Sequence, residues 1–149
     1  MASKKWNTVL FAVYCALMLW LLFDRPGYVA GVPYWEQIRA HLNLVPFRTL
    51  KLFSGLLDSV HPEYVRAAVI NLGGNILMFI PLGFFLPRVL SKTTSLPRVL
   101  LITAMLITAV EILQLFTLVG SCDIDDLILN VIGSAAGFGI HKCTKKPAP

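Results

Sequence analysis

Acidic and amide side chains lie inside, or at the ends of, three long apolar segments of this 149-residue chain. The residues concerned are Asn71, Asn75, Glu111, Gln114, Asp123, Asp125, Asp126 and Asn130. A charged side chain in a membrane span costs roughly 2.5–3.5 kcal/mol on insertion scales, so such groups normally face other helices, water or a ligand. Asn71 and Asn75 are one helical turn apart, as are Asp126 and Asn130, so each pair shares one helix face. The pattern therefore indicates a polar site enclosed by membrane helices.

Three kinds of chemistry fit these residue types. Asp123, Asp125 and Asp126 supply the hard oxygen ligands that divalent cations prefer. Glu111 with a second carboxylate suits general acid–base catalysis, and amides beside carboxylates suit hydrogen bonding to a polar headgroup. Each motif also has a structural interpretation, because an acidic turn is typical of a helix N-cap and buried amides join neighbouring membrane helices. We expect no cofactor, and the three aspartates remain an alternative metal site.

The composition predicts one integral membrane domain over residues 1–149. Hydrophobic residues make up 56% of the chain and charged residues only 14%, whereas soluble domains carry about 25% charged residues. The net charge is +5, but the basic residues flank apolar segments and are not interleaved with aromatic residues. We therefore predict the lipid bilayer as a partner and no binding of nucleic acid.

Four apolar segments approach the roughly 20 residues that a spanning helix needs, and they predict an all-α bundle of four transmembrane helices. The predicted spans lie near residues 6–23, 65–86, 98–119 and 126–140. Pro81 predicts a kink or a break in the second span. Apolar residues at helical spacing in Thr49–Val60 predict an amphipathic helix in the extracytoplasmic loop after the first span. The sequence Gly133-Ser-Ala-Ala-Gly137 predicts a helix-packing face.

The distribution of basic residues predicts the orientation of the chain. On one side of the predicted spans lie eight: Lys4, Lys5, Arg88, Lys92, Arg98, Lys142, Lys145 and Lys146. On the other side lie five: Arg25, Arg39, Arg48, Lys51 and Arg66. Because the positive-inside rule places the richer side in the cytoplasm, both termini are predicted to be cytoplasmic. The long loop and the acidic turn are then extracytoplasmic, and the polar residues of all three segments lie in the outer half of the membrane.

Three blocks of the sequence resemble the VanZ-like family of small bacterial membrane proteins. The blocks are Asn43-Leu-Val-Pro-Phe47, the segment from Asn71-Leu-Gly-Gly-Asn75 to Phe79-Ile-Pro-Leu-Gly-Phe84, and Glu111-x-x-Gln114 followed by Asp123-Ile-Asp-Asp126, Asn130 and Gly133. The resemblance covers residues 43–140 and implies a multi-pass protein of the bacterial cytoplasmic (cell) membrane. It also implies a link to resistance against teicoplanin, a glycopeptide antibiotic that targets cell-wall precursors outside the membrane.

These observations together predict a VanZ-like envelope protein that binds or alters a lipid-linked or wall-associated molecule at the outer leaflet and so affects glycopeptide susceptibility. In this hypothesis Glu111 is the acid or base, and Asp123 and Asp126 hold charge or a cation. The amides that would orient the ligand are Asn71, Asn75, Gln114 and Asn130. Two alternatives stay open: a membrane enzyme that acts on a phosphorylated lipid, and a non-catalytic assembly partner.

Overall fold

The computed structural model describes residues 4–24, 27–90 and 94–144, which are mostly helical. The six helices in these ranges are α1 (Lys4–Phe23), α2 (Tyr34–Ala40), α3 (Arg48–Leu56), α4 (Pro62–Val89), α5 (Leu96–Thr117) and α6 (Ile124–Thr144). Two short strands, β1 (Leu42–Asn43) and β2 (Cys122–Asp123), pair in parallel. The basic residues used for the orientation that lie outside the described residues are Arg25, Lys92, Lys145 and Lys146.

Three helices within the described ranges are long and apolar enough to cross a membrane. They are α1, α4 and α5, with mean hydropathies of 1.9, 1.9 and 2.3, and they coincide with the first three predicted spans. The fourth predicted span forms the 21-residue helix α6, which is not among them. Asp125, Asp126 and Asn130 make the first half of α6 more polar. The chain is therefore a mostly helical multi-pass membrane protein, and the crossing of the membrane by α6 stays a prediction.

Helices α4 and α6 form the most extensive contact between two elements of the described fold. A Cβ atom added at Gly133 would lie 2.1 Å from the carbonyl oxygen of Ile76, and one added at Gly137 would lie 1.9 Å from that of Ile80. Both contacts advance in the same direction along the two helices, so α4 and α6 run parallel. The predicted small-residue packing face is therefore confirmed, because only glycine allows the backbones to approach so closely.

Helix α4 continues through Pro81 and Pro87, so of the two predicted alternatives at Pro81 the break does not occur and the kink stays a prediction. Proline removes one backbone donor, but a membrane helix tolerates this loss where neighbouring helices surround it. The side chains around this stretch form the apolar core of the bundle. The buried core residues are Met18, Phe79, Leu82, Leu86, Val99, Ile107 and Phe138. The hydroxyls of Thr103 and Ser134 bond to each other at 2.8 Å within the bundle.

The loop between α1 and α4 is more structured than the sequence predicted. The amphipathic helix expected over residues 49–60 is present in its first part as α3, which ends at Leu56, whereas α2 and strand β1 had no counterpart in the prediction. Gln37 orders the start of the loop, since its buried amide accepts the backbone N–H of Val29 and donates to the carbonyls of Val29 and Val32. The carbonyl of His41 accepts the N–H of Cys122 at 2.8 Å, which connects this loop to the acidic turn.

Candidate functional site

The acidic turn between α5 and α6 holds the long loop in place through Asp123. This residue is buried, and its carboxylate accepts hydrogen bonds from the amide of Asn43 at 3.1 Å and from the hydroxyl of Thr49. The same carboxylate accepts the backbone N–H of Asp125 at 2.9 Å. The N–H of Asp123 in turn donates to the carboxylate of Glu111 at 3.0 Å. Both carboxylate oxygens of Asp123 are thus used within the protein, and Glu111 fixes the position of the turn.

Asp125 caps the first turn of a helix in a distant part of the chain. Its side chain is 0% exposed, and its two oxygens accept the backbone N–H groups of Phe47 and Leu50, the second at 3.1 Å. These N–H groups belong to the N-cap and the first turn of α3 and have no acceptor within that helix. Phe47 has a positive φ of 64°, which costs a residue with a side chain roughly 1–2 kcal/mol. A charge-assisted hydrogen bond at the positive end of α3 offsets that cost.

Asn75 and Asp126 connect α4 to α6 beside the acidic turn. The amide of Asn75 donates to the carboxylate of Asp126 at 2.6 Å. The carboxylates of Asp123 and Asp126 also lie near enough to Glu111 to interact with it electrostatically. The structure therefore brings together polar side chains from α4, α5, β2 and α6 at one end of the bundle.

Two amide oxygens of the predicted site have no hydrogen-bond partner. The Oδ1 atoms of Asn71 and Asn130 are buried, yet no described residue donates to either of them. Asn71 precedes Asn75 by one turn of α4, and Asn130, which is only 4% exposed, follows Asp126 by one turn of α6. An unpaired buried amide oxygen costs roughly 1–3 kcal/mol. These two oxygens can accept hydrogen bonds from N–H or O–H groups of a ligand.

Gln114 does not join the other predicted site residues. It is buried, and its amide donates to the carbonyl of Leu22 at 2.7 Å, which ties α5 to the end of α1. Gly120 passes close to this side chain, since a Cβ added at Gly120 would lie 3.1 Å from the amide of Gln114. These contacts connect α5 to α1, and the ligand-binding role predicted for Gln114 stays a prediction.

The three aspartates kept as an alternative metal site do not converge. In the ranges that the structure describes, no group of three or more His, Cys, Asp or Glu residues has the arrangement of a metal site. Asp123 and Asp125 accept hydrogen bonds from the loop, and Asp126 accepts one from Asn75. The carboxylates are thus directed towards different donors, which favours the hydrogen-bonding interpretation of this cluster.

Cys122 stands beside the acids but is not an activated nucleophile. Burial raises the pKa of its thiol, and the nearby carboxylates of Glu111 and Asp123 raise it further. A raised pKa lowers the fraction of thiolate, which is the reactive form. The surroundings of Cys122 therefore disfavour the thiolate form.

Asn43, Phe47 and Thr49 belong to the cluster, although the sequence prediction did not assign them to the site. Asn43 and Thr49 bond to Asp123, and the N–H of Phe47 bonds to Asp125. Short polar side chains beside a proline-containing turn were the available signal. That signal does not reveal which distant carboxylate the turn will meet.

A comparison with protein families identifies the family of this chain. The family model described as VanZ/LLP1 matches residues 11–145 of the chain. The chain belongs to the VanZ/LLP1 family. It is 26% identical over 138 residues to Protein VanZ of Enterococcus faecium, and the alignment covers 92% of this chain and 74% of that protein. No solved structure matches the chain. All candidate site residues of this VanZ/LLP1 chain lie within the matched region.

Proposed function

We propose that this VanZ/LLP1 protein binds a lipid-linked or wall-associated molecule at the outer leaflet of the bacterial cytoplasmic membrane and so affects glycopeptide susceptibility, including that to teicoplanin. The bundle crosses the membrane four times, with α6 as the fourth span and both termini in the cytoplasm. The relationship to Protein VanZ supports the class of function. The excess of basic residues on the side of the termini supports the orientation.

The observation that carries this proposal is the pair of unpartnered amide oxygens on Asn71 and Asn130. Both are acceptors, so the ligand presents donors such as hydroxyl, amide N–H or ammonium groups. Hydroxyl and amide groups are common to sugars and peptides, which are the polar parts of wall-linked molecules. Asn75 and Asp126, bonded to each other, connect α4 and α6 one helical turn from each of these two residues.

The other acids divide into two roles in this proposal. Asp123 and Asp125 hold the long loop against the bundle and are therefore positioning residues. Glu111 supports the acidic turn with one carboxylate oxygen and is the candidate acid or base of the site. The hydrogen-bonding site thus comprises Asn71, Asn75, Asp126 and Asn130.

Replacing either unpartnered amide by leucine separates a ligand-binding role from a structural one. Asparagine and leucine are close in volume, and Asn130→Leu or Asn71→Leu removes a buried unpaired polar group. The free energy of unfolding is therefore expected to stay the same or to rise by about 1 kcal/mol. Teicoplanin susceptibility, measured as the minimal inhibitory concentration in a host that expresses the protein, is expected to return to that of the empty vector.

The control is Leu77→Ala in α4, whose side chain is 66% exposed on the surface of the bundle and whose replacement is expected to leave susceptibility unchanged. If both leucine variants, at equal membrane expression, gave the same teicoplanin susceptibility as the unsubstituted protein, the proposed ligand site would be wrong. If the protein is instead a membrane enzyme, Glu111→Gln would abolish turnover and leave ligand binding intact. If it is instead an assembly partner, the leucine variants would alter only its co-purification with other envelope proteins.

Cysteine labelling tests the proposed orientation. In a background with Cys15, Cys122 and Cys143 replaced by alanine, a Ser121→Cys variant presents a thiol at an exposed position of the acidic turn. A membrane-impermeant maleimide is expected to label it in intact cells. Cys143, retained alone as the matched control, is exposed near the end of α6 and is expected to react only after the membrane is permeabilised. The reverse pattern would place the site on the cytoplasmic side and overturn the proposal.

A further inference from the structure

Residues 44–47 form an apolar tip that projects from the loop between β1 and α3. Leu44, Val45 and Phe47 are 62%, 58% and 54% exposed, and Pro46 between them is exposed as well. These side chains belong to no spanning helix, so their exposure is not explained by the lipid contact of a transmembrane segment. Contiguous exposed apolar residues of this kind indicate an interaction surface.

We propose that this apolar tip inserts into the membrane leaflet next to the acidic turn and that the adjacent Arg48 and Lys51 bind lipid phosphate groups.

The first support is the depth in the membrane of the α4 residues near the tip. A membrane helix crosses the hydrocarbon core in about 20 residues, each rising about 1.5 Å. If Arg88 in the last turn of α4 is taken as the level of the opposite surface, that distance reaches the region of Ala68. Asn75 therefore lies inside the hydrocarbon core.

The hydrogen bonds connect the tip to this part of the bundle through the start of α6. Asn75 bonds to Asp126, and the neighbouring Asp125 bonds to the N–H of Phe47. Helix α3, which follows the tip, also packs against α4. Side chains that project from the bundle beside the start of α6 meet the boundary between headgroups and acyl chains, where exposed Leu, Val and Phe are favourable.

The tip is held firmly at its base. The amide of Asn43 bonds to Asp123 and its side-chain oxygen accepts the N–H of Val45 at 3.3 Å, while Phe47 is bonded to Asp125. Both ends of the tip are therefore attached to the acidic turn. Little conformational freedom is lost when the tip enters the lipid, so more of the burial energy is available for insertion.

The charges next to the tip identify phospholipid as the partner. Arg48 and Lys51 are exposed in the first turn of α3 and form no ion pair with any described residue. Long basic side chains beside an inserted apolar segment reach the phosphate level of the bilayer. The combination of apolar residues with two unpaired cations fits an anionic leaflet better than it fits a second protein surface.

Spin labelling of the full-length protein in liposomes tests the insertion. Nitroxides are attached to Val45→Cys and Leu44→Cys variants in the background with Cys15, Cys122 and Cys143 replaced by alanine, and Asp58→Cys in the same loop is the matched exposed control. Power saturation compares collisions with oxygen, which enters lipid, and with a nickel chelate, which stays in water. The oxygen-to-nickel ratio at residues 44 and 45 is expected to be at least threefold that at residue 58.

The double substitution of Arg48→Gln with Lys51→Gln tests the role of the two cations. It is expected to lower the oxygen-to-nickel ratio at residue 45 in vesicles that contain phosphatidylglycerol and not in vesicles of pure phosphatidylcholine.

Equal ratios at residues 44, 45 and 58 would overturn the insertion. Dipolar broadening that disappears on dilution with unlabelled protein would also overturn it, because the tip would then contact a second copy. A lack of effect of the two glutamine substitutions would overturn the role of Arg48 and Lys51. The tip lies on a different element from Asn71 and Asn130, so failure of this proposal leaves the ligand site standing and failure of that site leaves the tip standing.

Discussion

Gly137→Ala is expected to separate α6 from α4 and to destabilise the bundle by about 3 kcal/mol. The added Cβ would lie 1.9 Å from the carbonyl oxygen of Ile80, a backbone atom that cannot rotate away. Overpacking in a core typically costs about 1–3 kcal/mol, and a clash between two helix backbones lies at the upper end of that range. The free energy of unfolding in mixed micelles, titrated with sodium dodecyl sulfate, measures the effect.

Gly139→Ala is the matched control two residues further along the same helix. A Cβ added at Gly139 meets no atom within 4 Å, and alanine is favoured over glycine in a helix by about 1 kcal/mol. Stability is therefore expected to stay the same or to increase. Equal destabilisation by the two substitutions would show that α4 and α6 do not pack through Gly137 as described.

Asp125→Ala is expected to release α3 from the bundle. The substitution leaves the N–H groups of Phe47 and Leu50 without acceptors, and each lost bond to a charged group costs roughly 1.5–3 kcal/mol. Trypsin reports the change directly, because Arg48 and Lys51 lie in the first turn of α3. Cleavage at these two residues in liposomes is expected to accelerate at least tenfold, and Asp125→Asn, which keeps one acceptor oxygen, is expected to give an intermediate rate.

Asp58→Ala is the control for this experiment, because Asp58 is an exposed acid in the same loop. Its cleavage rate is expected to match that of the unsubstituted protein. If Asp125→Ala gave the same rate as Asp58→Ala, α3 would not depend on the carboxylate of α6. The assignment of Asp125 as a positioning residue would then be wrong.

The features that the sequence predicted correctly depend on local patterns. Three spans follow from apolar runs of sufficient length, and the stripe of Leu50 and Phe53 predicts α3 from its helical period. Gly133 and Gly137 predict a packing face because their spacing alone places them on one side of a helix. The prediction also placed polar residues of α4 and α6 at one level, and the structure joins Asn75 to Asp126 there.

The features that the sequence did not reveal depend on contacts between distant residues. Asp123 caps the start of α6 through the N–H of Asp125, as the local pattern predicts. Its oxygens also bind Asn43 and Thr49, and those of Asp125 bind the start of α3, which the pattern does not reveal. Gln114 lies three residues after Glu111, which rotates it by roughly 60° around the helix. That rotation is enough to direct it to α1 rather than to the acidic cluster. No pattern within a single segment identifies these partners.

The cap that Asp125 places on α3 has a consequence for biogenesis. The acceptor is separated from Phe47 by 78 residues, so the ribosome delivers it only after α4 and α5 have been synthesised. Until then α3 lacks the carboxylate of Asp125, which accepts the N–H groups of its first turn. Maturation of the surface loop is therefore a late, post-insertion event, and chains truncated before α6 should leave it accessible to quality-control proteases.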